Sequence, residues 1–255
     1  MAATGTLTEH HISRHRHEIR WRRLTVRQKT WITPGMIRIL LEGEDLADFV
    51  SLAPDDHVKL SIETAGGEPE RRDYTPRHFD RAARTLAIDF AVHDAGPATQ
   101  WAVDAALGQA LEIGGPRGSA VVSPTFDWWL LVGDETALPA IGRRIEELPA
   151  GTAVVSVVAV TDEREQQAFA TRARHEAIWV HRPLERADDP APLLSALRDV
   201  ALPAGDGFVW IAAEARVARA VRDEIVGSRG HPIAWTKAAG YWRKGVADAH
   251  EKVME

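Results

Sequence analysis

The sequence predicts two structural halves, an antiparallel β-barrel followed by an α/β unit with a parallel sheet. From Arg22 to about Val122, short apolar or alternating runs are separated by turn residues, a pattern typical of antiparallel strands. From Phe126 onward, compact apolar strands alternate with helix-like segments, which indicates a parallel sheet covered by helices. A length of 255 residues is compatible with one domain or two, so the strand pattern decides between them.

The barrel half is predicted from five strand-like runs and the turns between them. Segments rich in glycine and proline at 34–35, 66–67 and 114–116 mark turns or bends. A helical stretch, roughly Thr99 to Leu107, interrupts the strand pattern. The runs are RRLTVRQKTWIT (22–33), GMIRILLEG (35–43), DDHVKLSIE (55–63), TLAIDFAVH (85–93) and ALEIGGPRGSAVV (110–122).

The α/β half is predicted from four apolar strands, several of which precede a helix-like segment. The strands are WWLLVGDE (128–135), AVVSVVAVTDE (153–163), AIWVHR (177–182) and GFVWIAAE (207–214), and the clearest helices are 137–148 and 215–228. Acidic or turn residues end these strands, at the edge where open α/β sheets place their ligands. The predicted organisation is a flexible, basic, His-rich arm at 1–20, the barrel domain at 21–125 and the α/β domain at 126–255.

Composition excludes several classes of protein. A formal net charge of -6 gives no general field for holding nucleic acid, so an anionic ligand must meet a local basic pocket. The absence of cysteine excludes disulfides, thiolate metal sites and iron–sulfur clusters. No run approaches the ~18 apolar residues of a membrane span and the N-terminus lacks a signal-peptide core, so the expected location is the cytoplasm.

Four histidines crowd the N-terminal arm: His10, His11, His15 and His17. Imidazoles at this spacing are able to bind a transition metal. A terminal arm without an ordered scaffold rarely holds ligand geometry, so a solvated basic arm is the preferred interpretation. No metal site is predicted.

Residues 71–79, RRDYTPRHF, combine three side chains that suit a flavin. Tyr74 offers an aromatic face for a planar ring, and the hydroxyl of Thr75 is able to hydrogen-bond a ring nitrogen. Arg72 is able to neutralise a phosphate with a fork of donors. A strand edge with a surface arginine is the alternative interpretation.

A second segment, residues 91–107, offers a phosphate site. Gly96 and Pro97 form a turn, and Thr99 is expected to cap the following helix, whose first amides would hold a pyrophosphate. Trp101 packs on a cofactor or fills the seam between helix and barrel, and His93 contacts the flavin or is an ordinary hydrogen-bonded histidine. The segment GGPRGS (114–119) is a further loop on the flavin side or a plain β-turn.

Six segments in this order resemble the siderophore-interacting proteins, NAD(P)H-dependent ferric-chelate reductases of the ferredoxin reductase-like group. They are RRDYTPR (71–77), H-x-x-GPA-x-x-WA (93–102), GPRGS (115–119), LVGDETALPAI (131–141), VWIAAEA (209–215) and AAGYWRKG (238–245). The resemblance implies an FAD-binding barrel and an NAD(P)H-binding α/β domain. The implied cofactor-binding residues of the barrel half are Arg72, Tyr74, Thr75, Arg77, His93, Gly96, Pro97, Ala98, Thr99 and Trp101, with Thr75 near the reactive flavin nitrogen.

In the second half, the resemblance implies that Gly133, Asp134 and Thr136 form the turn beneath the nicotinamide dinucleotide. Glu214 would face the nicotinamide and the flavin, and Thr75 and Glu214 are the predicted catalytic residues. After the next strand, the acidic residues at 162–163 suit ribose hydroxyls while Arg164 suits a 2′-phosphate, so NADH and NADPH both remain open. The segment lacks a G-x-G-x-x-G fingerprint, which disfavours a dehydrogenase of the Rossmann type.

The function implied by the resemblance is transfer of electrons from NAD(P)H through FAD to ferric iron held by a siderophore or another chelate. A nicotinamide gives two electrons together whereas ferric iron accepts one, and a flavin is the required adapter. Lys59, Arg77, Lys237 and Arg243 are candidates for a cationic pocket that holds the anionic chelate. The alternatives are a flavin reductase or diaphorase with another acceptor, and a non-catalytic protein that binds siderophore or flavin.

Overall fold

The structure is a computed structural model that describes residues 10–64, 67–92, 96–245 and, for the backbone only, 251–252. The strands within these ranges are β1 (Ile12–Arg16), β2 (Trp21–Thr33), β3 (Met36–Glu42), β4 (Val58–Ile62), β5 (Glu70–Tyr74), β6 (Pro76–Asp80), β7 (Thr85–Ala91), β8 (Ala110–Gly114), β9 (Gly118–Val122), β10 (Trp128–Asp134), β11 (Ala153–Val160), β12 (Arg174–His181), β13 (Gly207–Glu214), β14 (Thr236–Trp242) and β15 (Glu251–Lys252).

The helices complete the list of elements. They are α1 (Pro97–Asp104), α2 (Leu138–Glu147), α3 (Ala191–Asp199) and α4 (Ala215–Arg222), which continues into a π-helical turn at Asp223–Ser228. Short 3₁₀ turns lie at Glu44–Asp48, Glu163–Glu165, Leu184–Arg186 and Ile233–Trp235. In the part of the chain that the structure describes, no helix combines the length and the apolar character needed to cross a membrane.

The first half is a seven-stranded antiparallel sheet in the order β5-β4-β8-β2-β3-β7-β6. Its two edge strands, β5 and β6, are consecutive in the chain and are joined by the single residue Thr75. The sheet must therefore curl until its edges nearly meet, which produces the predicted barrel. Alternate side chains fill the interior, as the fully buried Leu24, Ile39, Leu60 and Phe90 illustrate.

The second half is a sheet in the order β12-β11-β10-β13-β14-β15, parallel except for the last pair. Along β10, Trp129 and Leu131 belong to the core that includes α2, whereas Leu130 and Val132 belong to the core that includes α3 and α4. Helices therefore cover both faces, because strands buried on two sides need apolar partners on each. This arrangement confirms the fold class predicted from the sequence.

Part of the predicted flexible arm is ordered, which corrects the expectation for residues 10–17. Strand β1 pairs antiparallel with β9. Ahead of it, the His10 ring stacks on Phe126 at 4.3 Å between centroids. Its two ring nitrogens are hydrogen-bonded to Thr125 Oγ1 and Asp206 Oδ2, each at 2.8 Å. This histidine ties the N-terminal strand to the α/β half.

Two local details of the barrel differ from expectation or resolve an open alternative. Helix α1 begins at Pro97 rather than at Thr99, because proline at the first helical position needs no N–H partner. The segment 114–119 is a turn between β8 and β9, in which Gly115 has φ of 96°, a conformation that favours glycine.

Gly207, at the start of β13, allows a close approach to Trp128 of β10. A Cβ atom on Gly207 would lie 2.1 Å from Trp128 Cε2, which is closer than non-bonded carbon atoms approach each other in proteins. We expect Gly207→Ala to lower the free energy of unfolding by about 1–3 kcal/mol through overpacking. Urea denaturation monitored by tryptophan fluorescence measures this loss.

Gly227→Ala is the matched control, since no atom lies within 4 Å of a Cβ placed there. We expect it to change the free energy of unfolding by less than about 1 kcal/mol. Equal losses in the two variants would contradict the packing argument.

Candidate functional site

Tyr74 stands at the centre of the flavin-side cluster. Its ring packs against Phe90 with centroids 4.5 Å apart, and the side chain of Thr99 on α1 is near enough to lower the pKa of its hydroxyl. Burial raises the pKa of Tyr74 to about 12, so the phenol stays neutral at physiological pH. Arg72, two residues earlier on the same strand face, is near enough for its charge to act on this phenol. The structure thus brings together three of the predicted flavin residues.

The N-terminus of α1 lies beside this cluster, and its first amides have no acceptor among the residues that the structure describes. Gly96 is the N-cap residue, with no side-chain cap, and Pro97 has no N–H. The backbone N–H groups of Ala98 and Thr99 have no partner within the helix, because the first turn of any helix lacks acceptors. Such amides, together with the helix dipole, attract a phosphate.

Thr99 does not cap α1, contrary to the expectation. It is the third residue of the helix and is buried, with its side chain near the hydroxyl of Tyr74. Trp101 lies 5.8 Å from Phe90 between ring centroids and packs on the barrel core, which agrees with the alternative that it fills the seam. His93 lies outside the described residues.

These donors fit the chemistry of FAD. An aromatic ring at Tyr74, a guanidinium at Arg72 and the first-turn helix amides of Ala98 and Thr99 match an isoalloxazine ring and a pyrophosphate. Arg72 is held by hydrogen bonds to Glu70 and to the carbonyl of Arg71, and only about a fifth of its side chain is exposed. The guanidinium is therefore oriented within the cluster before any ligand binds.

Arg77 requires a correction, because the structure places it in a buried ion pair. Its terminal nitrogens donate to both carboxylate oxygens of Glu146 on α2, at 2.6 and 2.7 Å. Its Nε lies 3.7 Å from the buried Asp89. With both terminal nitrogens engaged and almost no exposed surface, Arg77 joins the two halves of the molecule and is not available to a cofactor or chelate.

The turn after β10 is built around Asp134. This carboxylate, 2 % exposed, accepts hydrogen bonds from the backbone N–H and hydroxyl of Thr136. It also accepts from the Glu214 backbone N–H and from Trp242 Nε1, at 2.8 and 2.9 Å. Gly133 precedes it without a side chain because a Cβ there would lie 2.7 Å from the Ala212 carbonyl oxygen. Asp134 therefore links three strands, and its contacts within the described residues are structural.

Glu214 also differs from expectation. It is 3 % exposed and is the N-cap residue of α4, accepting hydrogen bonds from the backbone amides of Arg216 and Val217. Its other oxygen accepts from the backbone N–H of Lys244 at 3.4 Å. A carboxylate engaged in this way stabilises a helix end and holds the C-terminal segment, so the structure does not support the predicted catalytic role.

Sequence reasoning missed Glu135, which adjoins Asp134. Its carboxylate pairs with Arg182 at the end of β12, with Nη2 at 2.7 Å from Oε2. Burial, and then the charge of Asp134, raise the pKa of Glu135 to about 7, although Arg182 opposes the shift. The consecutive acids in the segment GDET were the only signal in the sequence.

Two of the proposed chelate-binding cations carry a carboxylate partner in the structure. Lys59, half exposed, pairs with Asp73 at 2.9 Å. Lys237 pairs with Asp55, which also accepts a hydrogen bond from Trp210 Nε1 at 3.2 Å. Burial opposes ionisation of Asp55, but Lys237 together with Arg144 and Trp210 more than offsets it, and the net pKa of Asp55 is lowered.

Arg243, by contrast, lies on the exposed C-terminal segment. Among the residues that the structure describes, no group of three or more His, Asp or Glu side chains is placed to hold a metal ion.

Asp162 and Arg164, at the carboxyl end of β11, pair with each other. Arg164 donates to both carboxylate oxygens of Asp162, at 3.1 and 2.7 Å, and these bonds lower the pKa of Asp162 to about 2. The side chain of Arg164 is exposed and that of Asp162 is partly exposed. Since neither a ribose hydroxyl nor a 2′-phosphate is favoured by this pair, the choice between NADH and NADPH stays open here.

Comparison with known protein families finds two matching models that together cover most of the chain. The model described as siderophore-interacting protein matches residues 126–245. The model described as siderophore-interacting FAD-binding domain matches residues 25–71 and 63–120.

Individual relatives support the same family. The NADPH-dependent ferric-chelate reductase of Escherichia coli K12 is 33% identical over 92% of this chain and 98% of its own length. The ferric vibriobactin reductase ViuB of Vibrio cholerae is 27% identical over 86% of this chain and 88% of its own length. The crystal structure of a siderophore utilization protein from T. fusca superimposes with a TM-score of 0.86 at 36% identity, covering 96% of this chain and 100% of the other.

The raised pKa of Glu135 predicts a pH-dependent contribution to stability. Because its pKa in the folded chain lies above the ordinary value of 4.5, folding favours the protonated form. The contribution is fully present below the unfolded pKa and is lost as the pH rises through about 7.

We expect the free energy of unfolding of the parent chain, relative to Glu135→Gln, to fall between about pH 5 and about pH 8. Parallel urea titrations of the two proteins across this range measure the difference. A difference that stays flat or grows with pH would contradict the assignment.

Proposed function

Because the chain belongs to the siderophore-interacting protein family, we propose that it is an FAD-dependent ferric-chelate reductase that takes electrons from NAD(P)H. The observation that carries this proposal is the convergence of Arg72, Tyr74 and the first turn of α1 on one cluster. The family and the names of the reductases from Escherichia coli and Vibrio cholerae support the substrate class. The proposed acceptor is a ferric siderophore or a similar ferric chelate, and the proposed location is the cytoplasm.

FAD would be held mainly by the barrel half. Tyr74 would contact the ring system, and Arg72 with the amides of Ala98 and Thr99 would contact the phosphates. Thr75, buried between β5 and β6, is proposed to hydrogen-bond the reactive edge of the ring. Bound FAD supplies the adapter chemistry, since it accepts two electrons together and releases them singly.

The net reaction needs no acid or base from the protein at the iron. One NADPH and two ferric ions give NADP⁺, two ferrous ions and one proton, so charge and electrons balance. Iron is released because siderophore oxygens are hard ligands that prefer the trivalent ion. The residues of this chain contribute binding, orientation and the exclusion of water from the crevice. NADPH is the preferred donor in this proposal, in line with the name of the Escherichia coli relative.

Lys59, Lys237 and Arg243 remain the proposed contacts for the chelate. The carboxylate partners of the two lysines set their geometry, and an anionic chelate would compete with Asp73 for the exposed Lys59. Arg243 would not have to leave a carboxylate partner in order to bind the chelate, because its side chain is exposed and has no such partner within the described residues.

The flavin cluster yields a direct prediction. We expect Tyr74→Ala and Arg72→Ala each to weaken FAD binding by about tenfold, through lost ring stacking and lost phosphate pairing respectively. The FAD content of the purified protein and titration of apoprotein by flavin fluorescence measure the effect.

Arg71→Ala is the matched control for this pair of variants. Arg71 is adjacent in sequence but exposed, with its guanidinium 5.1 Å from the centre of the Trp21 ring. We expect its FAD content to equal that of the parent chain. Normal FAD binding in both Tyr74→Ala and Arg72→Ala would refute the site assignment.

The reductase proposal is tested by stopped-flow absorbance of the FAD-loaded protein. We expect NADPH to bleach the flavin band, and ferric siderophore to restore it with formation of ferrous iron that ferrozine traps. Free flavin and quinone serve as competing acceptors in the same assay. Much faster reoxidation by those acceptors would identify a flavin reductase or diaphorase, and no bleaching by NADPH or NADH would identify a binding protein.

A further inference from the structure

Arg143, in the middle of α2, is a buried guanidinium that donates four hydrogen bonds. Its side chain is about 5 % exposed. Nη1 donates to Ser51 Oγ at 2.7 Å and to the Pro76 carbonyl at 3.0 Å, while Nη2 donates to the Ser51 carbonyl at 3.0 Å. Nε donates to Glu147 Oε1 at 2.7 Å. Burying a charge is costly unless it is paired and hydrogen-bonded in this way, so the geometry is strongly specified.

The hydrogen bond to the Pro76 carbonyl places Arg143 next to the turn that is proposed to contact the flavin. Pro76 follows Thr75 directly, and Thr75 joins the two edge strands of the barrel. A hydrogen bond to the Pro76 carbonyl therefore fixes the backbone immediately after the residue proposed to meet the reactive edge of FAD. The contact comes from the α/β half, which is to bind the nicotinamide.

The far side of the guanidinium is anchored by a second buried network. Ser51 Oγ donates to Asp56 Oδ2 at 2.9 Å, and Ser119 Oγ donates to the same oxygen at 2.6 Å. His17 Nε2 is hydrogen-bonded to Ser119 Oγ at 2.8 Å. Ser51 is consequently held from both the barrel and the N-terminal strand, so Arg143 cannot shift without disturbing buried polar groups.

The other end of α2 is tied to the proposed nicotinamide turn. The backbone N–H of Ala137, the N-cap residue, donates to the Asp134 carbonyl at 3.0 Å. Asp134 and Thr136 are locked together by their side chains. One rigid helix thus runs from the turn at 133–136 to the backbone at residue 76.

We infer that Arg143 is a positioning residue for hydride transfer: through the Pro76 carbonyl it sets the distance between the flavin turn at 75–76 and the nicotinamide turn at 133–136. This inference rests on the proposed function and deepens it. Arg143 touches neither cofactor, and it acts through the backbone that follows Thr75. Electron transfer to the ferric chelate does not depend on this alignment, because a single electron needs no bond formed between donor and acceptor.

Arg143→Lys is the test variant, since it keeps the charge but is unable to reach three oxygen acceptors in the planar fork. In single-turnover experiments we expect flavin reduction by NADPH to slow roughly ten- to hundredfold, because the nicotinamide and the flavin would no longer be aligned for hydride transfer. Reoxidation of the dithionite-reduced protein by ferric citrate is expected to stay within about threefold of the parent rate. The visible circular dichroism of bound FAD is expected to change, since it reports the surroundings of the ring.

Arg144→Lys is the control on the same helix. Arg144 is partly buried, its guanidinium lies 4.5 Å from the centre of the Trp129 ring, and it makes no hydrogen bond to Pro76 within the described residues. We expect its flavin reduction rate and circular dichroism to match the parent. FAD content and melting temperature are measured for all variants, so a general loss of structure is recognised.

Ser51→Ala keeps the test available should Arg143→Lys fail to fold. It removes one acceptor of the guanidinium and leaves the Pro76 contact, so the same pattern is expected at smaller amplitude. The inference is overturned if both variants reduce FAD at the parent rate with unchanged circular dichroism, or if reoxidation slows as much as reduction. If the parent itself is not reduced by NADPH or NADH, the proposed function fails first and the inference falls with it.

Discussion

The continuity of β5 and β6 through Thr75 is the constraint on which the rest of the site depends. Because one residue connects the two edges of a seven-stranded sheet, the barrel has to close at that point. Closure directs Tyr74 against Phe90 and the first turn of α1, and it directs Arg77 outward to Glu146 on α2. The flavin cluster and the junction with the α/β half therefore originate from the same covalent link.

Much of the fold could be predicted because it depends on local pattern. Alternating runs before residue 122 and continuous apolar strands after residue 126 distinguish a half-exposed antiparallel sheet from a buried parallel one. The grouping of the residues proposed to bind the flavin was also predictable, since Arg72 and Tyr74 share one strand face and a helix start at 96–97 is marked by glycine and proline.

The pairing of charged groups was not predictable from the sequence. Arg77 meets Glu146, and Lys237 meets Asp55, across 69 and 182 positions of the chain. In the sequence, a lone arginine or lysine gives no indication of such a distant partner. Its side chain is therefore predicted to be available for a ligand. The capping bonds of Glu214 were missed for a related reason, because a strand-end carboxylate suits catalysis and helix capping equally well until the next helix is seen to begin there.

The order of strands in the α/β sheet has a consequence for how the chain assembles during synthesis. The central strand β10 needs β13 beside it, and β13 in turn needs β14, which ends at Trp242. All strands of the barrel sheet have been synthesised once residue 114 is added, whereas one edge of β13 has no partner until residues 236–242 follow. During synthesis, a completed barrel sheet is therefore followed by an α/β sheet with an unpaired strand edge. A product truncated before β14 would keep this edge exposed, and an exposed edge promotes aggregation.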